Sequence, residues 1–215
     1  MATYIQSICK YLLAVLCPKI KKHFLRDDYI DFWHSLAAGL PMRPYVQKVL
    51  INLNSNKKSY EDFLLSMDAI IVGGGNTVNM LATWKSHGLD IILKKAYNKG
   101  IVMAGGSAGS MCWFVNGYTD SLSPTLTKID CLGYINASHC PHYDTEKSRK
   151  PLYQEGIFKG EILPGYACDE LSGILFQNEK YVKSLSINKE SHSYFISVVN
   201  GKIEEKTLDQ ELIQN

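Results

Sequence analysis

"KGIVMAGGSAGSMCWF", residues 99–114, decides how this chain is read. A short apolar run at 101–104 meets two glycines, and Ser107 then stands between Gly106 and Ala108 with Gly109 beyond. An apolar run of that length bounded by glycine reads as a buried strand, and the residues after it as the start of a helix. Gly105-Gly106-Ser107-Ala108-Gly109 satisfies G-x-S-x-G, in which a serine rides a sharp strand-to-helix turn. Such a turn strains the serine backbone and leaves no room for side chains two positions to either side, so the chemistry needs glycine there. It also lifts the hydroxyl clear of the sheet and aims the first helical N–H groups, notably that of Ala108, at a developing oxyanion. The plain alternative is a tight turn without chemistry, because short glycine-serine turns are common.

Working outward, a second apolar run, "DAIIVGGGN" (68–76), also ends in glycine, and helical patterns follow at 77–88 and 90–100, closed by Gly88 and Gly100. Continuous apolar strands alternating with helices predict a parallel sheet covered on both faces, and the carboxyl ends of such strands are where ligands bind. Toward the N-terminus, "QKVLINLN" (47–54) reads as a strand, "SYEDFLLSM" (59–67) as a helix and "DYIDFWHSLAA" (28–38) as a further helix. Ile5, Ile8, Leu12, Leu13 and Leu16 recur at helical spacing, which predicts an amphipathic helix stopped by Pro18. The elbow helix is expected to run through "SAGSMCWFV". After residue 120 the pattern shortens into strands and hairpins: "GYINASHCPHYD" (133–144) is a strand leading into a loop, and Asn200-Gly201 is a hairpin turn. The expected architecture is α/β, a mostly parallel central sheet flanked by helices with a mixed, antiparallel C-terminal extension. No repeat, linker or low-complexity tract divides residues 1–215, which are expected to form one domain.

The bulk properties agree with one ordinary globular domain. The 215 residues are 46% hydrophobic with a formal net charge of +2, and the basic residues are scattered, so nothing points to nucleic acid. Lys19, Lys21 and Lys22 read as a solvated helix end. The opening stretch has an apolar run broken by Lys10, no basic region ahead of it and no small-residue cleavage site, so it reads neither as a signal peptide nor as a membrane span. The cysteines at 9, 17, 112, 131, 140 and 168 form no CxxC pair, which predicts free thiols in the cytoplasm and no structural metal.

A serine hydroxyl needs a base, normally histidine. His34 and His87 fall in helical stretches and His23 and His192 in polar ones, whereas His139 and His142 share a loop after an apolar strand. Pro141 stiffens the backbone before His142, which favours that residue. The carboxylate to orient the imidazole has several candidates: Asp120 in "NGYTDSLS", with Asp130, Asp144, Asp169 and Glu170 as competitors. Gly73-Gly74-Gly75-Asn76 lacks dinucleotide-binding spacing and a Walker lysine; it reads as a tight turn or as a second source of oxyanion donors.

The stretches "DAIIVGGGNTVNML", "GGSAGSMCWF", "YTDS", "CPHYD" and "GYACDE", in that order across about residues 60–176, resemble the dipeptidase E (aspartyl dipeptidase) family of serine peptidases. That resemblance implies a class I glutamine-amidotransferase-like fold, with serine where the glutaminases carry an elbow cysteine. It implies Ser107 as nucleophile, His142 as general base, Asp120 as orienting acid, and Gly74, Gly75 and the Ala108 N–H as the oxyanion hole. Asn76 would line the substrate pocket. The resemblance further implies hydrolysis of small peptides, with N-terminal aspartate as the preferred residue, no cofactor, and Arg149, with Lys147 beside it, as a candidate partner for the acidic side chain. The chain departs from the family pattern at its start: it is expected to lack the first strand of the central sheet, and an exposed edge there would favour a homodimer. That departure motivates the alternative of a catalytically silent relative that binds a ligand or a protein; an esterase with the same residues is the other alternative.

Overall fold

The computed structural model describes residues 60–213, together with the backbone of a strand at Leu12–Leu16. The helix expected at 28–38, the strand at 47–54, Cys9, Cys17, His23, His34 and the lysines at 19, 21 and 22 lie outside the described residues.

Leu12–Leu16, β1, is a strand and not the C-terminal half of a helix. Its five residues, LLAVL, form an uninterrupted apolar run, which suits helical and strand periodicity equally, and its length is that of a strand. Tertiary pairing decides the matter. β1 lies parallel to β3 (Val102–Gly105) and antiparallel to β8 (Ser172–Gln177), in the middle of a sheet. The central strand that the sequence pattern omits is therefore supplied by these residues.

Two six-stranded sheets are formed by the described strands. The first runs β12 (Gln210–Leu212), β9 (Lys180–Ser186), β8, β1, β3, β2 (Ala69–Val72), with β1, β3 and β2 mutually parallel. The second runs β11 (Lys202–Thr207), β10 (Ser193–Val199), β7 (Gly165–Cys168), β6 (Ile135–Cys140), β4 (Phe114–Thr119), β5 (Thr127–Asp130), with β4, β6 and β7 parallel. The α/β organisation is the one expected, with the parallel strands shared between two sheets and antiparallel hairpins at the C-terminal end. Asn200 and Gly201 both have positive φ, 51° and 72°, as a two-residue hairpin turn requires.

Helices α1 (Tyr60–Leu64), α2 (Thr77–Ser86) and α3 (Leu89–Lys99) precede β3. On α3 the buried residues Leu89, Leu93, Ala96 and Tyr97 recur at helical spacing. The larger apolar cluster takes Leu81 and Trp84 from α2, Leu93 from α3, Met103 from β3, Phe114 from β4 and Phe176 from β8, so it joins both sheets. The smaller one seats Tyr153 and Ile157 of α5 (Arg149–Phe158) against Tyr118, Cys140, Ala167 and Ile196 of the second sheet.

The helix after the elbow is shorter than its sequence pattern. α4 spans only Ala108–Met111, and β4 begins at Phe114. Aromatic and β-branched residues from 113 onward favour extended backbone, and pairing with β6 overrides the helical run. Among the described residues Cys112, Cys140 and Cys168 are buried, and none of the four cysteines forms a disulfide. No helix of the described residues is long and apolar enough to cross a membrane.

Candidate active site

The site is built where β2 and β3 of the first sheet and β4, β6 and β7 of the second end beside one another. Ser107 follows β3 with φ 57° and ψ −120°, a conformation that L-residues rarely adopt. The elbow is clamped onto the end of β2: the Gly106 N–H donates to Val72 O at 3.2 Å, and a Cβ on Gly109 would run into the carbonyls of Val72 and Gly73. A Cβ on Gly105 would strike the Gly109 carbonyl. Glycine is thus demanded at both flanks by backbone approach, as the G-x-S-x-G pattern requires.

His142, in the loop after β6, is likewise held at positive φ, 56°. Its Nε2 lies 2.9 Å from Ser107 Oγ. Burial, with the nearby Arg149 guanidinium second, pushes the imidazole below histidine's ordinary value, while Glu146, Glu170 and Asp144 act in the other direction. The ring is therefore neutral at pH 7 and free to accept the serine proton.

The carboxylate beside that ring is Glu170, in the turn after β7: its Oε1 is 3.8 Å from His142 Nδ1, and both side chains are largely buried. Asp120 is not brought there. It is exposed on the turn after β4, and it is not among the charges that shift His142. The reason is alternation along the chain. Thr119 and Ser121 turn inward, with the Ser121 hydroxyl accepting from the Thr77 N–H at 2.8 Å and meeting Thr119 Oγ1 at 2.8 Å, so the residue between them faces solvent. Glu170 is held by a different tie: its N–H donates to Asp144 Oδ1 at 2.8 Å, and the Tyr143 N–H donates to Cys168 O at 3.0 Å. The loops bearing His142 and Glu170 are thereby laced together.

Gly74 lies against the nucleophile: a Cβ there would be 3.2 Å from Ser107 Cβ and 3.7 Å from its Oγ. Gly75, next along, has φ 141°. Ala108 opens α4, so its N–H belongs to the first turn, which has no intrahelical acceptor. Asn76, the expected pocket residue, is exposed at the end of the glycine turn. Its Oδ1 caps α2 by accepting from the Asn79 N–H at 2.8 Å, and its Nδ2 donates to Ser121 O at 2.8 Å. It holds the glycine loop in place. Arg149 is 6% exposed, with Nε on Glu146 Oε2 at 2.6 Å and Nη1 on Tyr118 O at 3.1 Å. Its charge reaches the site as a field on His142 more than as an open surface.

His139, the competing histidine, is fully buried and stacked on Phe114 with ring centroids 4.6 Å apart. Its Nε2 lies 3.0 Å from Ser110 Oγ and its Nδ1 3.0 Å from Tyr166 O. Ser110 and the Thr119–Ser121 staple carry no sequence signal that sets them apart from core polar residues, whereas Glu170 sits within the "GYACDE" stretch. Among the described residues no group of three His, Cys, Asp or Glu side chains is placed to hold a metal ion.

The chain is similar to known proteins. The model of peptidase family S51 matches residues 31–184. The uncharacterized peptidase YgaJ of Bacillus subtilis (strain 168) is 43% identical over 143 residues, which are 66% of this chain and 62% of that protein. The chain thus matches under two thirds of the length of this curated relative. Among solved structures, a candidate peptidase E protein from Listeria monocytogenes EGD-e superposes with a TM-score of 0.57 at 20% identity, covering 86% of this chain and 91% of that one. A peptidase from an acI-B1 actinobacterium superposes with a TM-score of 0.65 at 14% identity, covering 94% and 95%. These structures share the fold.

Proposed function

The chain belongs to peptidase family S51, and from that premise we propose that it is a serine peptidase that hydrolyses small peptides at Ser107. The observation that carries this reading is the 2.9 Å contact of Ser107 Oγ with His142 Nε2, made from a serine held at φ 57°. In the first step His142 Nε2 takes the Ser107 proton as Oγ attacks the peptide carbonyl carbon. The oxygen of the tetrahedral intermediate takes the negative charge, received by the N–H groups of Ala108 and of the Gly74-Gly75 turn. The C–N bond then breaks as the imidazolium gives its proton to the leaving amine, and an ester remains on Ser107. Water, deprotonated by the same imidazole, hydrolyses that ester and restores the hydroxyl. We assign the imidazole-orienting role to Glu170 in place of Asp120, on its proximity to Nδ1.

For the substrate we propose dipeptides with N-terminal aspartate. What supports this is the resemblance of the motifs.

A fluorophosphonate probe tests the chemistry. It is expected to label the wild-type protein at Ser107 and to leave Ser107→Ala unlabelled. Peptide turnover by Ser107→Ala should fall to the residual level of roughly 10³–10⁴-fold over water. Ordinary turnover by that variant would sink the assignment, and absence of labelling in the wild type would favour the silent relative. Aspartyl, glutamyl and neutral dipeptides compared side by side test the substrate; equal rates would remove the aspartyl preference.

A further inference from the structure

Beneath the elbow lies a buried polar chain that the mechanism above does not use. Ser110 is fully buried, and its Oγ is 2.7 Å from the carbonyl oxygen of Ser107 and 3.0 Å from His139 Nε2. His139 Nδ1 faces the carbonyl of Tyr166 at 3.0 Å. A carbonyl only accepts, so Nδ1 carries the imidazole proton and Nε2 presents a lone pair. The Ser110 hydroxyl then has one proton and two acceptors within reach, and Ser107 O at 2.7 Å is nearer than His139 Nε2 at 3.0 Å. The Ser107 carbonyl also takes the N–H groups of Ser110 and Met111, each at 3.0 Å.

That carbonyl is one end of the peptide unit whose other end is the Ala108 N–H. The unit is planar and trans, so its C=O and N–H point in opposite directions. Whatever fixes and polarises the Ser107 carbonyl therefore also aims and polarises the Ala108 N–H. We propose that Ser110 is a positioning residue for the oxyanion hole: its hydroxyl donates to the Ser107 carbonyl and so holds the Ala108 N–H of the same peptide unit toward the oxyanion. This inference rests on Ser107 being the nucleophile. His139 is a fixed neutral support and exchanges no proton with substrate.

Because the oxyanion exists only in the transition state, losing this support must appear in kcat and not in KM. Ser110→Ala is expected to lower kcat about tenfold, less than the ~10²–10³ lost when a whole oxyanion donor is deleted. KM stays unchanged. Affinity for a peptide aldehyde, which adds to Ser107 to form a tetrahedral oxyanion, falls by the same factor. Ser110→Cys fills the same space with a weak donor and is expected to move both quantities in the same direction. Ser110 variants that match wild-type kcat and aldehyde affinity would overturn the proposal, as would a rise in KM at constant kcat. Those results leave the hydrolase reading standing; a wild-type protein without Ser107-dependent turnover would bring down both.

Discussion

Glu170 and Asp120 show what a single side chain's position decides. Both follow parallel strands of the second sheet, and both stand in motifs that point to chemistry. Only one meets the imidazole, because the inward hydroxyls of Thr119 and Ser121 leave Asp120 facing solvent while the Asp144 carboxylate fixes the Glu170 backbone. An imidazole without its carboxylate loses the tautomer and the charge stabilisation that proton transfer needs. Glu170→Gln is therefore expected to lower kcat by about 10²–10⁴-fold, near the range seen when a triad carboxylate becomes an amide, whereas Asp120→Asn leaves kcat little changed. Steady-state kinetics on the two variants check this, and the reverse result would return the role to Asp120. The meeting of Ser107 with His142 was legible in the sequence because glycine spacing and a proline-stiffened loop are local signals. The choice among five carboxylates was not, since it depends on which turn end meets the ring across the sheet.

Elements were legible in proportion to how local their causes are. Helices α2 and α3 and strands β2, β3 and β6 follow their periodicity and their glycine stops to within a few residues. The two misreadings, a helix over Leu12–Leu16 and a long helix after Ser107, both fall on apolar runs that satisfy either period until a neighbouring strand claims them. The glycines divide in the same manner between fold and chemistry. Gly109→Ala drives a methyl into the backbone of β2's end, which must shift, so we expect a loss of about 1–3 kcal/mol in urea unfolding together with activity. Gly74→Ala meets no main chain closer than 3.6 Å and crowds the nucleophile instead. Its expected signature is a fall in kcat with a nearly unchanged melting temperature. Equal melting temperatures for the two variants would contradict this division.

At the scale of the whole molecule, the buried imidazole beneath the elbow couples stability to acid. Burial pushes His139 from histidine's ordinary 6.5 down to about 3. Between those values the unfolded chain binds a proton that the folded chain refuses, so stability falls as pH falls below 6.5 and is unaffected by this group above it. The slope approaches about 1.4 kcal/mol per pH unit. Urea unfolding of wild type and His139→Gln between pH 7 and 5 measures it: the variant is expected to lose less stability over that interval, and parallel curves would assign acid sensitivity elsewhere. Across the molecule the α/β class was legible from alternating strands and helices, but its division into two sheets was not, because strand order is set by pairings far apart in sequence.

That division has a consequence for assembly. Ser107 and the glycine loop hang from the first sheet, His142 and Glu170 from the second, and Ser121 ties the two through Asn76 and Thr77. A molecule in which only one of the sheets has formed holds Ser107 or His142 in place, never the pair. On the proposed reading, hydrolytic competence therefore requires both sheets to be in place.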